Sequence, residues 1–221
     1  MGRFFLRPKV NQELFIRLKP NLLRLAKEDG KKSRRHSQGL SSLILSGWGS
    51  FIEGTCDRCI SNEKFRTILV QTDDKFRSYA LWYLEKWSCD ADEETKNKWT
   101  SWLPEFLKDV WPYQRKANSP AVSASLCNLM FSNEELFPEL VEIILPRLAK
   151  IDGRDWGWFK ARDFVKKHPR QMLDLLYAVL PDNVLGWPYG IGDIFTSISE
   201  NEPSLKTDEK FLELKRRWDS R

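Results

Sequence analysis

The chain has 221 residues, 41% of them apolar, and its 36 basic and 31 acidic side chains leave a net charge of +5. That is enough apolar material to bury a core, while the charge surplus is too small and too interspersed to demand a nucleic-acid partner. No stretch reaches the roughly 18 to 20 uncharged apolar residues that span a bilayer, and the opening MGRFFLRPKVNQ lacks the apolar region and cleavage site of a secretory signal, so no membrane contact and a cytoplasmic location are expected.

Apolar residues recur at helical spacing along almost the whole chain. Helices are expected over about 12–18, 20–29, 34–52 and 62–70. Asp73 then reads as an N-cap, because its carboxylate can accept the unpaired amide hydrogens of a first turn. The helix it opens carries Phe76, Tyr79, Ala80, Tyr83, Leu84 and Trp87 on one face. Trp99, Trp102, Leu103, Phe106, Leu107, Val110 and Trp111 form the next stripe, opposite Lys98, Ser101, Glu105, Lys108 and Asp109. Helices over 120–131, 138–146, 157–167, 169–181, 190–200 and 208–218 complete the set. No convincing alternation of period two appears, which makes the fold class all-α.

Three of these segments are bracketed by prolines: LPEFLKDVWP, FPELVEIILP and HPRQMLDLLYAVLP. Proline in a first turn is harmless, since its missing N–H has no partner there, whereas proline after the last turn stops the helix. Each bracket therefore reads as a start and a stop. The opening prolines Pro104, Pro138 and Pro169 are 34 and 31 residues apart, and the closing ones, Pro112, Pro146 and Pro181, are 34 and 35 apart. A second helix fits between successive brackets, so the pattern predicts stacked helical hairpins, a HEAT- or tetratricopeptide-like α-solenoid or an irregular α-bundle. Pro104 and Pro138 have a second reading, as kinks in longer helices that begin near Asp92 and Asn133. The expected organisation is one all-α domain over residues 1–221, or two lobes, N-terminal helices over 1–60 and the repeat region over 61–221. Burying the seven large groups of the Trp99 to Trp111 stripe contributes roughly 10 to 20 kcal/mol. Ordering its backbone costs a similar sum. Neighbouring hairpins must therefore cover one another.

The chemistry-bearing residues are sparse. Cys56 and Cys59 have zinc-knuckle spacing, but Cys89 and Cys127 are isolated and the nearest histidine is His36, so the cysteines read as free thiols and no metal site is expected. His168 precedes Pro169 at a helix start and reads as an exposed cap. Gly190 and Gly192 lack the third glycine and the preceding strand of a dinucleotide loop. They read instead as a tight turn after the rigid aromatic entry of Trp187, Pro188 and Tyr189. No carboxylate pair stands in an apolar setting that would separate two pKa values. No catalytic residue, cofactor or small-molecule substrate is therefore expected, and the chain reads as no enzyme. Two basic clusters, Lys31, Lys32, Arg34 and Arg35, and then Lys215, Arg216 and Arg217, supply an alternative reading as a DNA- or RNA-binding accessory factor.

Five segments carry a family likeness: LKPNLLRLAKED (18–29), 102–131, FPELVEIILPRLAKID (137–152), 168–195 and FLELKRRWD (211–219). Through them the chain resembles the C-terminal helical region of large bacterial defence-island proteins, some of which begin with a sirtuin-like NAD-consuming domain. The resemblance implies a sensing, scaffolding or assembly module, with an effector or ATPase subunit as protein partner. It also implies a stand-alone subunit or a fragment of a longer protein, since no effector precedes the array, and hence an uncovered apolar edge at Phe4, Phe5, Leu14, Phe15 and Leu18. The ten tryptophans of the chain make Trp156, Trp158, Trp187 and Tyr189 further candidates for partner contact.

Overall fold

The computed structural model describes residues 62–90, 93–114, 118–151 and 162–221. Among these residues there are nine α-helices and no strand, in agreement with the all-α reading. The helices expected over 12–18, 20–29 and 34–52, together with His36, Cys56 and Cys59, lie outside the described residues. The chain divides into two compact units, Met1–Tyr83 with Asp109–Trp111, and Leu84–Lys108 with Pro112–Arg221.

The described helices of the first unit meet at a buried arginine. Helix α1 spans Asn62–Gln71 and has no basic residue in its last turn. Helix α2 spans Asp74–Asp90, and its residues up to Tyr83 belong to this unit. As expected, Asp73 caps α2, its Oδ1 accepting from the Phe76 amide at 2.9 Å. The last carbonyls of α1 have no intrahelical donors, and Arg77 of α2 supplies them. Its Nε donates to the Leu69 carbonyl at 2.6 Å and an Nη to the Val70 carbonyl at 3.2 Å. The other Nη meets Asp74 at 3.2 Å. The cation thus sits at the negative end of α1, where the helix dipole favours it. Around it Ile68, Leu69, Phe76, Ala80 and Leu81 are buried.

Helix α3 spans Glu93–Asp109, all of it but Asp109 in the second unit, and carries Pro104 in its interior. The reading of Pro104 as a helix start is therefore corrected; the alternative start near Asp92 is the one realised. An interior proline costs a helix about 3 kcal/mol. The adjacent Leu103, Phe106 and Leu107 are fully buried, and at about 1.5 to 3 kcal/mol each they outweigh that cost. Trp102 stacks on Phe106, centroids 4.6 Å apart. The side chains of Tyr83, Trp87 and Trp99 lie outside the described residues.

Helix α4, Pro120–Phe131, starts as its sequence requires: Pro120 fills the first turn, and the Ser119 hydroxyl accepts from the Val122 amide at 3.3 Å. It carries no charged residue, and seven of its residues are buried. Helix α5, Phe137–Ile144, has Pro138 in its first turn and passes into a 3-10 turn, Leu145–Arg147, that contains Pro146. Helices α6 (Arg162–Lys167) and α7 (Pro169–Val179) follow. Then come α8 (Ile191–Asn201) and α9 (Glu209–Asp219), joined by the 3-10 turn Pro203–Thr207. Pro169 and Pro181 stand at the two ends of α7 as the bracket predicts.

Helix neighbours follow chain order. Helix α4 packs on α5, α6 on α7 and α8 on α9; α7 also lies against α5 and α9, and α8 against α6 and α7. Residue pairs give directions. Going up α7, Arg170, Asp174 and Tyr177 meet Asp208, Lys210 and Glu213 in ascending order, so α9 runs the same way as α7. The same holds one step earlier: Glu134 meets Lys167, Phe137 meets His168, and the Ile151 amide donates to the Val179 carbonyl at 2.8 Å. Helix α8 runs against α9, since Trp187 lies beside Trp218 whereas Phe195 lies beside Phe211.

Three buried polar side chains of this unit, Arg147, Asn118 and Ser123, bond to the main chain. Arg147 donates to the Ile143 and Lys108 carbonyls and lies 4.9 Å from the Tyr113 ring centroid. Its own carbonyl accepts from Asn118 Nδ2 at 3.0 Å. The Ser123 hydroxyl accepts from the Ala149 amide at 2.9 Å. The expectation of an exposed capping His168 is corrected: its side chain makes no cap bond, and its ring lies 5.5 Å from that of Phe137.

Candidate functional site

Two of the sequence candidates converge on one place, the connection between α7 and α8. Proline at 181 ends α7, and Leu180 turns to an extended conformation (φ −63°, ψ 128°). Asn183 then opens a 3-10 turn, Val184–Gly186, by accepting the Leu185 amide on its side chain at 3.0 Å. A Cβ at Gly186 would stand 3.2 Å from Pro181 Cγ, closer than a relaxed contact. Trp187 closes the loop, its Nε1 donating to the Pro181 carbonyl at 2.7 Å. Gly190 adopts φ 86° to start α8. The left-handed region disfavours any residue with a Cβ.

Trp187 is 8% exposed. Its ring lies parallel to that of Trp218 (6.1 Å, 6°) and edge-on to Phe195 at 6.2 Å. Gly192 faces the same indole: a Cβ there would lie 3.4 Å from Trp218 Nε1, an ordinary contact. The guanidinium of Arg221 covers the Trp218 ring, 3.3 Å from its centroid. The Trp187 side chain therefore holds the loop, while Tyr189, 102% exposed, and Leu185, 90% exposed, project into solvent. Held backbone with exposed large side chains is the arrangement that limits the entropy cost of binding.

The same place receives the C-terminal basic cluster. Arg217 pairs with Glu213 at 2.6 Å and with Asp182 of the loop at 3.4 Å. Lys215 pairs with Asp219 at 2.6 Å. Two of the three cations are thus matched by carboxylates, and Arg216 is exposed.

Below the loop, the α7 and α9 seam is closed by charge. Arg170 pairs with Asp208, Lys210 with Asp174, and the Tyr177 hydroxyl donates to Glu213 at 2.9 Å. The Arg170 hydrogen bond is the main reason the Asp208 carboxyl is held below its usual range. Hydrogen bonding to Glu213 pushes the Tyr177 phenol up.

Phe4, Phe5, Leu14, Phe15, Leu18, Trp156, Trp158, Lys31, Lys32, Arg34 and Arg35 lie outside the described residues, and so does the side chain of Cys89. Among the described residues, no group of three or more His, Cys, Asp or Glu side chains is placed to hold a metal. No helix among them is long and apolar enough to cross a membrane. Cys127 is a buried free thiol whose pKa burial pushes up, which suppresses the nucleophilic thiolate. Sequence reasoning passed over Leu185 and Trp218. Trp218 was legible as an apolar position of its helix, whereas nothing in the local pattern marks Leu185 as exposed. No family model, curated protein or solved structure matches the chain.

Proposed function

We propose that the chain is a non-enzymatic helical-repeat module that binds another protein, with the α7–α8 loop as part of its contact surface. In this reading α4–α5, α6–α7 and α8–α9 are successive hairpins of a stack, and α5, α7 and α9 form one of its layers. The observation that carries the stacking is the ascending order of residue pairs flanking α5 and α7, from Glu134–Lys167 and Phe137–His168 to Ile151–Val179, and of those between α7 and α9, because each hairpin of a stack repeats the direction of the last. The observation that carries the binding is the exposure of Leu185 and Tyr189 on a loop pinned by Trp187. Burial of two such side chains against a partner is worth about 1.5 to 3 kcal/mol each, the scale of an interface anchor.

The partner we propose is an effector or ATPase subunit of a prokaryotic anti-phage system, and the chain is its accessory or sensor subunit. The five segments that resemble the helical region of defence-island proteins support that assignment. The test has two arms. Affinity purification from native cells should return one stoichiometric protein with the wild-type chain and lose it with the Leu185→Ser, Tyr189→Ser double variant. Phage challenge should show protection that depends on the gene and falls with the same variant. A monodisperse monomer that retains no protein overturns the binding reading, and unchanged plaque counts on deletion overturn the defence reading.

A further inference from the structure

We draw no further inference here: the strongest candidate, the exposed Leu185 and Tyr189 surface on the loop between α7 and α8, is unpartnered, its nearby charges Asp182 and Arg217 offset each other, and nothing in the structure shows what covers it.

Discussion

Replacing Trp187 with alanine separates the two roles assigned to the α7–α8 loop. The substitution removes a buried indole stacked on Trp218 and set edge-on to Phe195. It also removes the donor to the Pro181 carbonyl. Loss of a buried tryptophan of this kind costs about 3 to 5 kcal/mol, of which the hydrogen bond accounts for about 1. Trp187→Phe keeps most of the ring and loses the N–H, so it should cost near the lower of those figures, about 1 to 2 kcal/mol. Tyr189→Ala removes a ring that is fully in solvent, and surface changes of that kind stay within about 0.5 kcal/mol. Amide hydrogen exchange over residues 170–218 reads these differences locally, without requiring that the two units unfold together. The expected order is Trp187→Ala, then Trp187→Phe, with Tyr189→Ala indistinguishable from wild type. Equal losses from Trp187→Ala and Tyr189→Ala would refute the division between a buried pin and an exposed pair.

Four further outcomes follow from particular contacts. Arg77→Met leaves the Leu69 and Val70 carbonyls without their guanidinium donors; at about 1.5 to 3 kcal/mol for charged hydrogen bonds, exchange at the end of α1 should accelerate, and Arg77→Lys should recover only part of it because an ammonium lacks the fork. Gly190→Ala forces a Cβ into φ 86° and should lower the midpoint of thermal unfolding by the equivalent of about 1 to 2 kcal/mol, with Gly190→Asn milder. The Asp208 carboxyl is held below its usual value by Arg170, so its contribution is present above the unfolded-state pKa of about 4 and is lost as pH falls through the lower folded value. Acid titration followed by circular dichroism should therefore find Asp208→Asn destabilised at neutral pH and flatter than wild type on the acid side. A wild-type profile no steeper than the variant's contradicts this. Iodoacetamide should leave Cys127 unmodified in the native chain and alkylate it after denaturation, as burial dictates.

Local chemistry made much of the helical pattern readable. Asp73, Ser119 with Pro120, Pro169 and Asp208 are placed where their side chains or missing N–H groups suit a helix start, and the structure uses each of them so. Pro104 misled because a proline that can start a helix can also be carried inside one when the flanking apolar residues repay the distortion. The pairing within the cluster at 215–217 was legible too, since Glu213 and Asp219 stand at helical spacing from Arg217 and Lys215. Trp187 and Tyr189 read alike in the sequence, as aromatic candidates for partner contact. Which of two neighbouring rings turns inward depends on Trp218, 31 residues further along, and on the Pro181 carbonyl. Pro181 lies close in sequence, but no local window around residue 187 reaches Trp218.

The central claim is that this chain works by recognising a protein. Its most direct measurement is photo-crosslinking in native cells from a benzoylphenylalanine placed at 185 or at 189, with a third variant at the exposed Leu212 of α9 as reference. The account predicts one discrete protein adduct from positions 185 and 189, and its loss when Trp187 is replaced by alanine. An adduct to nucleic acid, or none above that from position 212, would contradict it.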